Sequence, residues 1–145
     1  LQLYLHDLSR VEAWELDEHG SFGEDDLDGC WSEVRRHPFL IRASGQIAGF
    51  AIVDEGSDVT SDPQVFDMAE FFVVRRWRRH GVGREAFRQL LGRFRGRWEV
   101  RPFPGYEPGE SFWRSVCAEM AQGSVTTATF ERRDRDFPMY SFTSG

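Results

Sequence analysis

Hydrophobic residues recur along the chain with two periods, one helical and one extended. Spacings of three and four residues, as in Leu1, Leu5 and Leu8, place apolar side chains on one face of a helix. This pattern predicts helices over residues 1–9, 82–94 and 110–121. Residues 31–36 are predicted as a further short helical piece, after an acidic, glycine-rich loop over residues 17–29.

Runs rich in β-branched and aromatic residues predict strands between these helices. Residues 38–43 and 47–54 flank a Ser-Gly-Gln sequence, which is typical of a hairpin in which Gly45 supplies the unusual backbone angle. Further strands are predicted over residues 65–74, 98–103, 124–132 and 137–142, with turn-rich segments over 55–64 and 104–109. The order of elements predicts an α/β fold, an α+β mixed sheet, in a single domain over residues 1–145.

Composition excludes several classes of protein. The apolar runs are far shorter than the roughly 20 residues of a membrane-spanning helix, so no membrane partner is expected. The first ten residues lack the features of a secretory signal, which favours a cytoplasmic location. Cys30 and Cys117 form no CxxC pair and are expected to be buried core residues. The four histidines form no HxxH or HExxH pair, and no metal is expected.

Charge is strongly segregated, although the formal net charge is only -6. Residues 75–97 contain nine arginines and one acid, Glu85, whereas acids concentrate in residues 7–33 and 54–70. The chain has no lysine. The arginine bias fits a G+C-rich genome as well as it fits a selected phosphate site.

The segment from Glu70 to Arg84 is the strongest local feature of the sequence. An apolar strand runs into an arginine-rich turn with Gly81 and Gly83, and an amphipathic helix follows. The first N–H groups of a helix lack intrahelical partners and carry the positive end of its dipole, so such a turn can bind an anion. In this interpretation the glycines leave room for a pyrophosphate, and the arginines add donors. The alternative is that the glycines only shape a tight turn.

The same segment carries a family resemblance. It contains neither a Walker A loop nor a GxGxxG sequence followed by an acid. Arg78-x-x-Gly81-x-Gly83 instead matches the [Q/R]xxGx[G/A] motif for the acyl-CoA pyrophosphate, so the chain resembles the GNAT superfamily of N-acyltransferases. The resemblance covers about residues 38–144. Within the superfamily, three stretches resemble a bacterial group of largely uncharacterised predicted acetyltransferases: PFLIRASGQIAGFAIV, AEFFVVRRWRRHGVG, and WEVRPFP with the later SFWR.

The resemblance implies a fold as well as a site. It implies a central, mostly antiparallel sheet with a splayed strand pair and flanking helices. The superfamily usually opens with a strand before its first helix, whereas this sequence begins within that helix. A first strand that is missing from the sequence is therefore expected.

The resemblance also implies roles for individual residues, with acetyl-CoA as the acyl donor. The turn that would hold the pyrophosphate consists of Arg78, Arg79, His80, Gly81, Val82, Gly83 and Arg84. Phe72, Val73 and Val74 would lie on the splayed strand whose backbone pairs with pantetheine. Glu70 would take a proton from the amine, directly or through water. The alternative for Glu70 is a strand acid paired with an arginine.

Two positions depart from the pattern of the superfamily. Tyr106 stands where relatives often have an asparagine, and Trp113 stands where they often have the tyrosine that protonates the leaving thiolate. Trp113 cannot serve as that acid and is expected to be a core residue of its helix. Tyr106 is the candidate for the missing phenol. A packing role for Tyr106, with water or a free thiolate in place of the acid, is the alternative.

These residues are compatible with three functions, to different degrees. The first is transfer of an acetyl group from acetyl-CoA to a primary amine of a small molecule or peptide, and the acidic stretches could attract a cationic acceptor. The second is a catalytically impaired module that binds CoA and regulates. The third, nucleic-acid binding through the arginines, ranks last because the chain is acidic and lacks aromatic stacking motifs. A homodimer is left open.

Overall fold

Six strands form one sheet within the residues described by the computed structural model, which are 1–23 and 29–145. The strands are β1 (Arg36–Ala43), β2 (Gln46–Glu55), β3 (Val65–Val73), β4 (Gly96–Val100), β5 (Thr126–Arg132) and β6 (Arg135–Ser144). Their order across the sheet is β1-β2-β3-β4-β6-β5. β3 and β4 are parallel, and every other neighbouring pair is antiparallel. The predicted mixed, mostly antiparallel sheet is confirmed.

Helices precede and follow the first three strands. They are α1 (Gln2–Leu8), α2 (Gly29–Ser32), α3 (Val82–Arg93) and α4 (Glu107–Met120), with a 3₁₀ turn at Arg75–Trp77. The order of elements agrees with the prediction. Among the described residues, no helix combines the length and apolar character needed to cross a membrane.

Several predicted boundaries were wrong for identifiable reasons. α4 begins at Glu107, three residues before the predicted start, because Pro108 fits the first turn of a helix, where no N–H is needed. β1 begins at Arg36 rather than at residue 38, because it is an edge strand and tolerates Pro38. The short helix α2 therefore ends at Ser32 instead of at residue 36.

The remaining shifts lie at the ends of other strands. β4 covers Gly96–Val100 instead of residues 98–103, and β6 extends beyond the predicted 137–142 at both ends. Arg133 and Asp134 join β5 to β6 with φ angles of 51° and 57°, which a two-residue hairpin turn requires. Residues 24–28 of the predicted acidic loop lie outside the described residues.

α3 and α4 cover one face of the sheet, and α1 lies against the other. Phe87, Leu90, Trp113 and Val116 from the two helices pack with buried residues of β2, β3, β4 and β6 in the main core. Both cysteines are buried, as predicted, and neither is in a disulfide. On the opposite face, Tyr4 of α1 places its ring 5.7 Å from that of Phe72.

The parallel strands β3 and β4 separate after a short paired region. Their pairing runs from Val65 opposite Arg97 to Met68 opposite Val100. β3 continues to Val73, whereas β4 ends at Val100. Among the described strands, none pairs with the β4 side of β3 beyond Met68, so backbone N–H and C=O groups face a cleft there.

A β-bulge in β3 lies at this point of separation. Ile52 pairs with Glu70 and Val53 pairs with Met68, so Ala69 is an extra residue in β3. The extra residue changes which side chains face α1. Met68 and Phe71 both pack into the main core, and Glu70 lies on the α1 face between them. The bulge therefore directs Glu70 to the side opposite the main core.

Candidate active site

A cavity of about 860 Å³ lies where β3 and β4 separate, a size typical of small-molecule sites. It is bounded by α1, the ends of β3 and β4, the start of α3, the first turns of α4 and the hairpin of β5 and β6. The candidate site residues that line it are Glu70, Phe72, Val73, Arg78, Arg79, Gly81, Gly83, Arg84 and Tyr106. Residues far apart in the sequence are therefore brought together.

Three candidates do not line the cavity. Val74 follows the end of β3, and its N–H donates to the carbonyl of Ala48 at 2.8 Å. The exposed His80 has its Nδ1 2.7 Å from the carbonyl oxygen of Arg78. Val82 is the first residue of α3. Any contribution of these residues to a ligand site comes from the backbone that they share with their neighbours.

The turn before α3 has the geometry of an anion site. Gly81 caps α3 with a φ of 78°, and Arg79 also has a positive φ, 66°. A Cβ atom added at Gly81 would meet no atom within 4 Å. The N–H groups at the start of the 12-residue helix have no intrahelical acceptors and carry the positive end of its dipole. Gly81 thus supplies both a left-handed backbone and open space beside these donors.

Gly83 has a different role from Gly81. A Cβ atom added there would lie 3.3 Å from the ring of Phe112 and 3.5 Å from Cγ2 of Val73. Gly83 therefore allows the start of α3 to pack closely against α4 and β3, in addition to lining the cavity.

Arg78 links the turn to three other parts of the site. Its guanidinium donates to the carbonyl of Val73 at 2.7 Å and to the hydroxyl of Tyr106 at 3.1 Å, and it forms an ion pair with Asp7. It also lies 5.4 Å from the centre of the Phe72 ring. These contacts show that Arg78 holds α1, β3 and the start of α4 together.

The other two arginines of the turn differ in their partners. Arg84 is paired with Glu119 of α4 at 2.8 Å. Arg79 is exposed and has no ion pair within the part of the chain that the structure describes. Arg79 is thus the turn arginine whose charge is available to a ligand.

Glu70 accepts a hydrogen bond from the hydroxyl of Tyr4 at 2.5 Å. Glu70 is half-buried and lines the cavity. The ring of Tyr4 lies 5.7 Å from the rings of both Phe50 and Phe72, which fixes its position. Tyr4 is not among the site residues predicted from the sequence. Its place on the same helix face as Leu1, Leu5 and Leu8 was the available signal that it points inward.

Tyr106 lies at the start of α4 and accepts the hydrogen bond from Arg78. A phenol that accepts in this way still has its O–H to donate. Trp113 is buried, and its ring packs against those of Phe71 and Phe87. The expectation that Trp113 is a core residue is confirmed.

A buried acidic pair lies next to the site on β3 and β4. Burial raises the pKa of Asp67 to about 7, and the neighbouring Arg101 guanidinium acts in the opposite direction. Asp67 forms an ion pair with Arg101, and Glu99 accepts hydrogen bonds from Ser57 and Thr60. Among the described residues, no group of three or more histidine, cysteine, aspartate or glutamate side chains could hold a metal ion.

Comparison with protein families gives one match over most of the chain. Residues 3–103 match a family model described as "Acetyltransferase (GNAT) family". Among curated protein sequences, none matches the chain significantly.

Solved structures with a similar fold include three bacterial acetyltransferases. An acetyltransferase from Thermus thermophilus has a TM-score of 0.63 and 14% identity, over 81% of this chain and 70% of that one. The ribosomal-protein-S18-alanine N-acetyltransferase from Escherichia coli has a TM-score of 0.58 and 14% identity, over 97% and 88%. A Bacillus subtilis acetyltransferase in complex with CoA has a TM-score of 0.55 and 12% identity, over 83% and 84%. At these identities the likeness shows the fold.

Proposed function

The chain belongs to the GNAT acetyltransferase family, and we propose that it transfers an acetyl group from acetyl-CoA to a primary amine. One observation carries the proposal. The same cavity is lined by the glycine turn that begins α3, by the stretch of β3 that has no strand partner on its β4 side, and by the carboxylate of Glu70. Such a cavity can hold two reactants in one place, which is the main requirement for this reaction.

The residues of the turn fit the donor. The open space at Gly81 and the N–H groups that begin α3 suit a pyrophosphate, and the free charge of Arg79 adds to them. The backbone of β3 beyond Met68, which has no strand partner on the β4 side, suits the amides of the pantetheine arm. When bound, acetyl-CoA supplies a thioester whose carbonyl carbon accepts the amine.

Glu70 is proposed to take the proton that the amine loses. The amine nitrogen forms a bond to the acetyl carbon, the carbon–sulfur bond breaks, and the amine proton passes to the Glu70 carboxylate. Tyr4 holds this carboxylate in place through its 2.5 Å hydrogen bond. Tyr4 is thus a positioning residue for the proposed base.

Tyr106 is proposed to return a proton to the CoA thiolate. Its phenol lines the cavity, and the hydrogen bond from Arg78 orients it. Water is the alternative donor of this proton. A small-molecule or peptide amine is the proposed partner, and a cytoplasmic location and a homodimer stay predictions.

The second candidate function is a module that binds CoA but does not catalyse acetyl transfer. It is favoured by Trp113, which is buried at the position where relatives often have the tyrosine that protonates the thiolate. Such a module would bind CoA but give no acetylated product with any of a broad panel of amines.

Calorimetric titration with acetyl-CoA and CoA tests the donor site first. Gly81→Glu adds bulk and negative charge at the proposed pyrophosphate position, and we expect it to weaken binding at least tenfold. Gly45→Glu is the matched control, because Gly45 has a φ of 76°, has no atom within 4 Å of an added Cβ and lies outside the cavity.

Each outcome of the titration either supports or contradicts the proposed donor site. Binding that is lost in Gly81→Glu and kept in Gly45→Glu supports the donor site. A folded wild-type chain that binds neither ligand contradicts the proposal. Mass spectrometry of an amine panel then distinguishes acetyl transfer from binding alone.

A further inference from the structure

Four aromatic rings, those of Trp14, Phe103, Phe130 and Phe137, form a continuous aromatic wall at one end of the cavity. Trp14 lies 6.5 Å from Phe103, Phe103 lies 5.7 Å from Phe137, and Phe137 stacks on Phe130 at 5.5 Å, measured between ring centres. All four rings are half-buried and line the cavity that also contains Glu70. Rings that are packed against one another yet reach a cavity offer flat apolar surface to a ligand.

Arg135 packs against this wall and does not itself line the cavity. Its guanidinium lies 5.7 Å from the centre of the Phe103 ring, donates to the carbonyl of Pro104 at 3.1 Å and forms an ion pair with Glu12. The wall therefore has a defined shape before any ligand binds, which lowers the entropic cost of binding.

The charges at this end of the cavity are positive. Arg101 and Arg132 both line the cavity. Arg101 is largely buried, is paired with Asp67, and lies 6.0 Å from the centre of the Phe130 ring. Arg132 is exposed at the end of β5, and its side chain has neither an ion pair nor a hydrogen bond with any described residue. Arg132 is thus available to an anionic group.

Among the described residues that line the cavity, no acid is paired with Arg132. Of the described residues that line the cavity, the acids are Asp7 and Glu70. Asp7 is already paired with Arg75 and Arg78, and Glu70 is the proposed base. The acidic stretch over residues 54–70 contributes no other carboxylate to the lining. A cationic acceptor would therefore meet arginine rather than carboxylate at this wall.

We propose that the acceptor is a primary amine that also carries an aromatic or flat apolar group and an anionic group such as a carboxylate. The inference rests on the proposed function. The ring of the acceptor would lie against the aromatic wall, and the anionic group of the acceptor would pair with Arg132. The amine would then face Glu70 across the cavity.

Acetylation assays with matched amines test both parts of the proposal. Phenylalanine and phenethylamine differ in the carboxylate, phenylalanine and alanine differ in the ring, and spermidine is a purely cationic probe. We expect kcat/KM to be at least tenfold higher for phenylalanine than for each of the other three. Arg132→Gln should raise the KM for phenylalanine about tenfold, change kcat less than twofold and leave phenethylamine unaffected.

Arg133→Gln is the matched control, because Arg133 is the exposed neighbour of Arg132 and does not line the cavity. It should leave both substrates unchanged. Preference for spermidine, an equal effect of Arg132→Gln on phenylalanine and phenethylamine, or no acetylation of phenylalanine would overturn the inference. Titration of acetyl-CoA into the same preparations separates the two proposals, because a chain that fails to bind acetyl-CoA contradicts the proposed function itself.

Discussion

At the scale of single residues, Glu70 owes its position to the extra residue Ala69 and its orientation to Tyr4. In a regular strand, residues 68 and 70 would face the same side of the sheet. The bulge instead places Glu70 on the α1 face, where the hydroxyl of Tyr4 reaches it. The bulge and the hydrogen bond from Tyr4 together hold the Glu70 carboxylate in one orientation in the cavity.

Glu70→Gln tests the proposed base with little change of shape. Loss of a general base lowers turnover by about 10²–10⁴-fold, so we expect kcat to fall at least tenfold. The dissociation constant for acetyl-CoA should stay the same, because the donor contacts proposed on β3 are backbone groups and glutamine keeps the shape of the Glu70 side chain. Steady-state kinetics and calorimetry give the two readings.

Glu131→Gln is the control for the loss of a carboxylate, because Glu131 is exposed on β5 and does not line the cavity. It should leave turnover unchanged. A folded Glu70→Gln variant that keeps more than a tenth of the wild-type kcat would remove Glu70 from the role of base.

Asp67 predicts an unusual dependence of stability on pH. Burial raises its pKa to about 7, above the ordinary 3.8 that it has when unfolded. The folded chain therefore binds more protons than the unfolded chain between about pH 4 and 7. The contribution of Asp67 to the free energy of unfolding is fully present below pH 4 and is lost as the pH rises through 7. From pH 5 to pH 8 we expect a loss of roughly 2–3 kcal/mol, at about 1.4 kcal/mol per pKa unit.

Urea denaturation of the wild type and Asp67→Asn at the two pH values measures this contribution. Asparagine does not titrate, so the variant should lack the fall between pH 5 and pH 8. Asp136→Asn, at an exposed position, should retain it. Equal pH dependence in the wild type and Asp67→Asn would contradict the assignment.

At the scale of elements, Gly49 lets β2 approach the part of β3 that faces the cleft. A Cβ atom at Gly49 would lie 2.0 Å from the carbonyl oxygen of Phe72 and 3.0 Å from its carbonyl carbon. These are backbone atoms, so Gly49→Ala requires the two strands to shift. We expect a loss of about 1–3 kcal/mol in the free energy of unfolding, measured by urea denaturation, together with weaker acetyl-CoA binding.

Gly92→Ala provides the contrast within the same protein. Gly92 is exposed on α3, and a Cβ atom there would meet no other atom within 4 Å. This variant should be more stable than the wild type by about 0.5–1 kcal/mol, because alanine favours a helix more than glycine does. Equal stability of Gly49→Ala and the wild type would show that the strands are less tightly fitted than their contacts indicate.

The elements themselves were largely predictable, because their periodic apolar faces are local properties of the sequence. Errors arose where tertiary context overrides a local rule. The sequence predicts a strand that begins at Pro38, but an edge position lets β1 extend to Arg36. The sequence predicts a turn around Pro108, but this residue lies in the first turn of α4.

The sequence indicates the residues of the proposed donor site more fully than those of the proposed acceptor site. The turn with Gly81 and Gly83 is contiguous in the sequence, so a motif could locate it. The contact between Tyr4 and Glu70 joins residues 66 positions apart and depends on a bulge that no local pattern marks. The aromatic wall likewise results from packing between segments that are distant in the sequence.

At the scale of the whole molecule, the fold pairs some arginines of residues 75–97 with acids and leaves others without an ion pair among the described residues. Arg84, Arg88 and Arg97 are paired with Glu119, Glu85 and Asp62, respectively. Arg79 is left exposed beside the cavity. A chain with a net charge of -6 therefore presents a positive potential where the anionic donor is proposed to bind.

This segregation predicts the sign of the salt effect on CoA binding. If the net negative charge governed the encounter, salt would screen a repulsion and binding would tighten as NaCl rises. The local arginines predict the opposite, a several-fold weaker affinity at 500 mM than at 50 mM NaCl. Calorimetry with CoA and 3′-dephospho-CoA checks this, and the second ligand, with less charge, should show a smaller effect.

Arg79→Gln and Arg76→Gln form a matched pair for the same measurement. Both arginines are exposed in the segment before α3, but only Arg79 lines the cavity. Arg79→Gln should therefore reduce both the affinity at 50 mM NaCl and its sensitivity to salt, and Arg76→Gln should change each much less. Equal effects of the two variants would mean that the potential of the whole face, rather than a defined contact at the turn, attracts the donor.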